Sequence, residues 1–242
     1  MPSDIQPTIS RADVVRNCLN FFNEPVYLEI GVNAGETFNA IAAARKVAVD
    51  PLFLFDTAVD AKPGTIDFFA MTSDAYFGGA AGPVPTFDVI YVDGLHTFEQ
   101  TLQDLLNAVV YLKNPGIIVI DDTHPNSHDA SLPDLDQLRK LREISREANL
   151  GWYSDGSWMG DVYKLVFFIQ TFLQPFSYAT VANNHGQTVL WRQKRPEQDI
   201  VPRPMEQIAR MSFADMLLHR SQLQMRPFNE IMDLIRHTIR AT

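Results

Sequence analysis

Hydrophobic and polar positions follow two alternating patterns along the first half of the chain. Short, nearly continuous apolar runs that end in Gly, Asp or Pro predict strands at 26–31 (VYLEIG), 46–50 (KVAVD), 66–70 (IDFFA), 87–93 (FDVIYVD) and 117–120 (IIVI). Between them, an Ala-rich stretch at 36–45 predicts a helix. A second helix is predicted over 97–113, where Phe98, Leu102, Leu105, Leu106, Val109, Val110 and Leu112 recur at helical spacing before Asn114-Pro115-Gly116. Strands without polar alternation, separated by helices, predict an α/β fold: a Rossmann-like, doubly wound, mostly parallel sheet covered on both faces. Ligands of such sheets sit beyond the carboxyl ends of the strands. This chain places Glu29 to Gly35, Asp50, Asp93 and Asp121-Asp122 there.

The pattern loosens after Asp122. The stretch 123–158 is long for a strand–helix connection and predicts a lid or binding loop, with a polar helix near 135–148. A mostly buried helix is expected over 160–173. Strands at 177–182 and 187–192 flank Asn183-Asn184-His185-Gly186 and predict an antiparallel hairpin. A Pro-rich linker at 196–204 leads to two closing helices, where Ser212-x-x-Asp215 has the form of a capping box. The expected organisation is one domain over 1–195 with a lid-like insertion at 123–158. A helical extension over 196–242 would pack on the body or form a homodimer interface.

Composition narrows the partners. With 46% hydrophobic and 20% charged residues, the 242-residue chain has the make-up of a globular domain. The single Cys18 excludes an internal disulfide and a Cys-rich zinc site, and reads as a small buried residue. The polar start MPSDIQPTIS has no signal-peptide pattern, and no apolar run is long enough for a bilayer. A cytoplasmic protein with no membrane partner is therefore expected. The net charge of −9 is concentrated: residues 47–137 hold 14 acidic residues against two bases, Lys62 and Lys113. That block argues against nucleic acid as a partner and suggests a cation site within it.

The glycine-containing turn from Glu29 to Gly35 opens a helix, and Asp50 closes the next strand, where a carboxylate suits a bidentate grip on ribose hydroxyls. The turn lacks the dinucleotide fingerprint: Asn33 stands where a second glycine belongs, and no base is nearby to meet a pyrophosphate. Glu29 would repel phosphate and suit a cationic amino-acid ligand, which favours S-adenosylmethionine over a nicotinamide cofactor. Asp93, Asp121 and Asp122 end neighbouring strands. Three gathered carboxylates raise one another's pKa unless a cation intervenes, and oxygen ligands fit Mg2+. Alternatively, Asp122 caps a turn and Asp121 contacts the cofactor. His124 and His128 could join Asp121 at a zinc ion, but Pro125 and the polar loop argue against the helix that this spacing needs. Trp152, Tyr153 and Trp158 could stack on a sugar or polyketide ring. His185 reads as a hairpin residue near the sheet edge, and His219 and His237 as residues of the tail helices.

The stretches LEIGVNAGETF (28–38), VAVDP (47–51), TSDAYF (72–77), YVDGLHTFEQTLQDL (91–105), GIIVIDDTHP (116–125), GDVYKLV (160–166) and NNHGQTVL (183–190) carry a resemblance. In this order the chain resembles class I S-adenosylmethionine-dependent methyltransferases. Within them it is similar to the metal-dependent small-molecule and sugar O-methyltransferases of the mycinamicin and tylosin type. The resemblance implies a seven-stranded sheet with a C-terminal antiparallel hairpin. It implies Glu29, Gly31, Asn33 and Gly35 along the methionine and ribose of the cofactor, Asp50 at the ribose, Ser73 and Asp74 beside the adenine, and Asp93 at the cofactor's edge. It also implies Asp93, Asp121 and Asp122 around Mg2+, with His96 of the D-x-x-H stretch as general base. The expected reaction is methyl transfer to a hydroxyl of a sugar, a glycan or a secondary metabolite. The rivals are a non-catalytic cofactor- or metal-binding scaffold of the same fold, an NAD-type oxidoreductase, and a zinc hydrolase built on His124 and His128.

Overall fold

The computed structural model describes residues 8–150 and 156–240. In chain order its elements are α1 (Arg11–Leu19), β1 (Val26–Ile30), α2 (Glu36–Ala40), β2 (Arg45–Asp50), α3 (Thr57–Asp60), β3 (Ile66–Ala70), α4 (Ser73–Phe77), β4 (Phe87–Val92), α5 (Phe98–Tyr111) and β5 (Leu112–Ile120). There follow α6 (Leu135–Glu147), α7 (Lys164–Phe172), β6 (Phe176–Val181), β7 (Thr188–Arg192), α8 (Met205–Ala209), α9 (Phe213–Leu218), β8 (Met225–Arg226) and α10 (Phe228–Arg240). The strands form one sheet in the order β3-β2-β1-β4-β5-β7-β6-β8. β1 to β5 pair in parallel, and β7 runs antiparallel to both β5 and β6.

Because side chains alternate across a strand, the apolar runs fill two cores at once. Leu28, Ile30, Ile90, Val92, Ile118 and Ile120 face α5 and α7. Tyr27, Val89, Tyr91, Ile117 and Val119 face α1 and α10. The tail joins both cores: Ile208, Met211, Met216 and Leu223 enter the first, and Phe228, Ile231, Met232 and Ile235 the second. Leu217 and Leu218 remain exposed, at 50% and 79%. No helix among the described residues is long and apolar enough to cross a membrane.

Several boundaries differ from expectation, each for a local reason. The helix expected over 36–45 stops at Ala40 because the Lys46 ammonium donates to the carbonyls of Phe38 and Ile41, and the chain is already extended at Arg45. β5 starts at Leu112, earlier than the expected Ile117, because Leu112 already pairs with Phe87. The helix expected from 160 begins at Lys164. Residues ahead of it are tied to other elements: Met159 and Gly160 N–H groups to the Ala130 carbonyl, and the Asp161 carboxylate to the Phe98 N–H at 2.7 Å. The sheet has eight strands, one more than the expected seven, because Met225-Arg226 adds to β6. Three α-helices, not two, follow the linker among the described residues. The capping box at Ser212 and Asp215 is present.

Candidate active site

The cofactor-type loop follows β1. Gly31 has φ +80°, and a Cβ there would lie 1.8 Å from the Asp93 carbonyl oxygen. Only glycine lets this turn press against the end of β4. Asn33 has φ +49°, a left-handed backbone that glycine tolerates best and Asn next best. That explains an asparagine where a glycine was expected. Asp50 braces the turn: its Oδ2 accepts the N–H groups of Val32 and Asn33, each at 2.8 Å, and its Oδ1 accepts that of Leu52 at 2.7 Å. The carboxylate expected to grip a ribose with both oxygens thus first shapes the loop. Buried Glu29 accepts the Tyr27 hydroxyl at 2.6 Å, and burial outweighs that bond and pushes its pKa up to about 8.

These residues wall a cavity of about 790 Å³, lined by Glu29, Gly31, Asn33, Asp50, Ser73, Asp74, Asp93 and His96. Gly35 is not on its wall; a Cβ there would meet Asn39 and Phe55. Ser73 and Asp74 open α4 and are held by Gln100, whose amide also donates to Asp104 Oδ1 at 3.2 Å.

The carboxylate end lies where β4 and β5 stop. Tyr91, Asp93, Val119 and Asp121 share the sheet face that α1 covers, and the Tyr91 hydroxyl reaches Asp121 Oδ2 at 2.7 Å and Asp93 Oδ2 at 3.2 Å. Successive side chains of a strand point to opposite faces, but Asp122 takes φ +58°, so both Asp121 and Asp122 turn to one centre. His96 Nε2 stands 3.0 Å from Asp122 Oδ2 and 3.5 Å from Asp93 Oδ1. Its Nδ1 faces the Trp158 carbonyl at 2.9 Å, an acceptor only, so Nδ1 carries the hydrogen and Nε2 faces the carboxylates. Gly160 packs on this loop so tightly that a Cβ would lie 1.7 Å from the His96 carbonyl oxygen.

Charge is unevenly shared in this cluster. Burial and the neighbouring Asp121 push Asp122 up to about 8. Burial also raises Asp121, but the nearby His185 imidazole and the charge of Arg11 prevail and hold it below the usual carboxylate range. Burial works against a charged His96, yet its bond to Asp93 and the charges of Asp122 and Asp93 push it up to about 9. Asp121 Oδ1 and Asp122 Oδ2 are buried and make no hydrogen bond among the described residues.

Two members of the centre carried no signal in their local sequence. Arg11 starts α1 and brings its guanidinium 2.6 Å from Asp121 Oδ2. Ser10 and Asp13 cap that helix; this S-x-x-D start matches the one at Ser212 and could have marked it. His185 is not at a sheet edge. β7 lies between β5 and β6, and Thr123 binds the Gly186 carbonyl, so the turn hangs over the end of β5. His185 Nε2 lies 3.6 Å from Asp121 Oδ1 and 3.8 Å from Asp122 Oδ1. The carboxylate–imidazole groups that could hold a metal among the described residues are Asp93–His96–Asp122 and Asp121–Asp122–His185. His124 and His128 belong to neither; His128 lies edge-on to Phe213. Trp158 tilts against the His96 ring at 4.7 Å, while Trp152 and Tyr153 fall outside the described residues.

Residues 28–123 match the family model described as a methyltransferase domain. The comparison with curated proteins gives no match. Among solved structures, the chain is similar to a candidate caffeoyl-CoA O-methyltransferase from Staphylococcus aureus, at 12% identity and TM-score 0.49, over 77% of this chain and 86% of that one. It is also similar to the O-methyltransferase TomG from Streptomyces achromogenes, at 14% identity and TM-score 0.43, over 80% and 83%. A third is the MycE methyltransferase of the mycinamycin pathway in complex with Mg and SAH, at 14% identity and TM-score 0.43, over 81% and 52%. The matched segment spans the loop after β1, Asp50, Asp93, His96 and the Asp121-Asp122 pair. The methyltransferase-domain match thus falls on the segment that carries these residues.

Proposed function

We propose that this domain is an O-methyltransferase that moves the methyl group of S-adenosylmethionine to a hydroxyl of a sugar, a glycan or a secondary metabolite, with Mg2+ at the acidic centre and His96 as general base. The observation that carries this reading is the position of His96. Its Nε2 is 3.0 Å from Asp122 Oδ2, and the residue lines the same cavity as Glu29, Gly31 and Asn33. The cofactor would lie along Glu29, Gly31, Asn33 and Asp50, with Ser73 and Asp74 at its adenine end and Asp93 where the two ends of the cavity meet. Glu29 would face the ammonium or sulfonium charge.

The donor set fits a divalent cation: three converging carboxylates, two of whose buried oxygens lack hydrogen bonds. Asp93, Asp121 and Asp122 would hold it. When bound, such an ion polarises a coordinated hydroxyl and lowers its pKa. Methyl transfer is an in-line displacement, so the protein's own part is alignment and proton removal. The Trp158 carbonyl fixes the His96 ring, and Nε2 is the atom that takes the proton. Beside Asp93 and Asp122, His96 holds its own proton up to about 9, and a cation bound at those carboxylates would lower it.

The test is methylation of a panel of hydroxyl acceptors with labelled S-adenosylmethionine. His96→Ala should lower turnover roughly 10²–10⁴-fold, the usual contribution of a positioned base. EDTA should lower it in the wild type. Full turnover in the variant removes His96 as base; full turnover in EDTA removes the metal.

A further inference from the structure

Arg11 does not belong to the acidic block, yet it is a permanent cation inside the centre. Its Nε is 2.6 Å from Asp121 Oδ2 and 2.8 Å from His185 Nε2, and its Nη2 is 3.7 Å from Asp122 Oδ1. The entry to α1 is fixed to the turn that carries His185, since the Ile9 N–H donates to the Asn183 carbonyl at 3.0 Å. A guanidinium placed there neutralises the same oxygens that a divalent ion would use. The orphaned Asp121 Oδ1 and Asp122 Oδ2 show that it does not satisfy all of them. The imidazole of His185 accepts from this guanidinium and already stands 3.6 Å from Asp121 Oδ1 and 3.8 Å from Asp122 Oδ1, in one candidate ligand group with both.

We propose that Arg11 is a built-in counter-cation that competes with a divalent metal for Asp121 and Asp122, and that His185 becomes a metal ligand when Arg11 is displaced. Arg11 then sets the cation affinity of the centre and biases a first ion toward the Asp93 and Asp122 side, next to the cofactor cavity. This inference rests on the proposed acidic metal centre, but it concerns the competition and not the methyl transfer.

The experiment measures Mn2+ binding to the full chain by electron paramagnetic resonance, without cofactor. Arg11→Ala should bind Mn2+ at least about tenfold more tightly than the wild type, since one unit charge at contact distance is removed. Arg11→Lys, which keeps the charge, should stay near the wild type. Arg11→Ala/His185→Ala should lose most of the gain. Arg11→Gln serves if the alanine variant does not fold, with circular dichroism as the check. Equal or weaker binding by the folded Arg11→Ala or Arg11→Gln protein overturns the proposal, as does a gain that survives loss of His185. If the wild type binds no Mn2+ and the Arg11 variant does, the competition stands and the native metal reading falls. If the wild type binds and the variant is unchanged, the reverse holds.

Discussion

The two ends of the cavity are built in opposite ways. At the cofactor end, the polar groups are already satisfied by the protein: both oxygens of Asp50 accept backbone N–H groups, and Gly31 seats the turn on β4. At the acidic end, carboxylates from two strands meet an arginine from α1 and two histidines from separate loops, and two buried oxygens stay without hydrogen bonds. The first end is a preformed shape. The second is an electrostatic balance waiting for a charge, because an unpaired buried polar group is costly and a buried ion more so. On the proposed function, the first end would serve recognition and the second chemistry.

Substitutions should separate these ends. The largest effect is expected at Gly31→Ala, whose Cβ would collide with the Asp93 carbonyl and whose φ is left-handed. A loss of about 2–4 kcal/mol in urea unfolding is expected, together with weakened cofactor binding. Asp50→Ala removes three bonds to backbone N–H groups, and should cost about 2–3 kcal/mol while leaving Mn2+ binding intact. If it abolishes Mn2+ binding instead, the ends are not separable.

Both ends should show themselves through pH. Glu29 and Asp122, ordinarily at 4.5 and 3.8, are each pushed up to about 8, and His96 rises from 6.5 to about 9. In each case the folded state binds the proton more tightly than the unfolded one. The stabilisation is full below the unfolded value and is lost as pH rises through the folded one. Metal-free, cofactor-free protein should therefore lose stability between about pH 4 and about pH 9, and Mg2+ should flatten the slope. A rise in stability over that range would contradict these shifts. The smallest effect belongs to Asn33→Gly: at φ +49° glycine is at ease, so stability should change by less than about 1 kcal/mol and cofactor binding should persist.

The cofactor end was legible in the sequence because it is local. One strand, one turn and the next strand's terminal Asp50 fall within 28–51, and their hydrophobic period and glycines declare them. Most of the acidic end was legible for the same reason: Asp93, Asp121 and Asp122 terminate recognisable strands, and His96 follows one of them. Arg11 and His185 were not, since their roles depend on which helix covers a face and which strand β7 joins. These are long-range packing outcomes that no local period encodes. The same holds for β8, whose two residues are too few to show alternation, and for the early start of β5, set by its partner Phe87. Asn33 looked like a departure from the glycine pattern; its left-handed backbone shows a substitution within the same conformational demand.

The most direct measurement is a calorimetric titration of S-adenosylmethionine into the wild type, Asp50→Ala and His96→Ala. The wild type should bind, His96→Ala should match it within about threefold, and Asp50→Ala should bind at least about tenfold more weakly, a difference of about 1.4 kcal/mol or more. No binding by the wild type at millimolar cofactor, or a loss in His96→Ala as large as in Asp50→Ala, would contradict the division of the site into a recognition end and a chemical end.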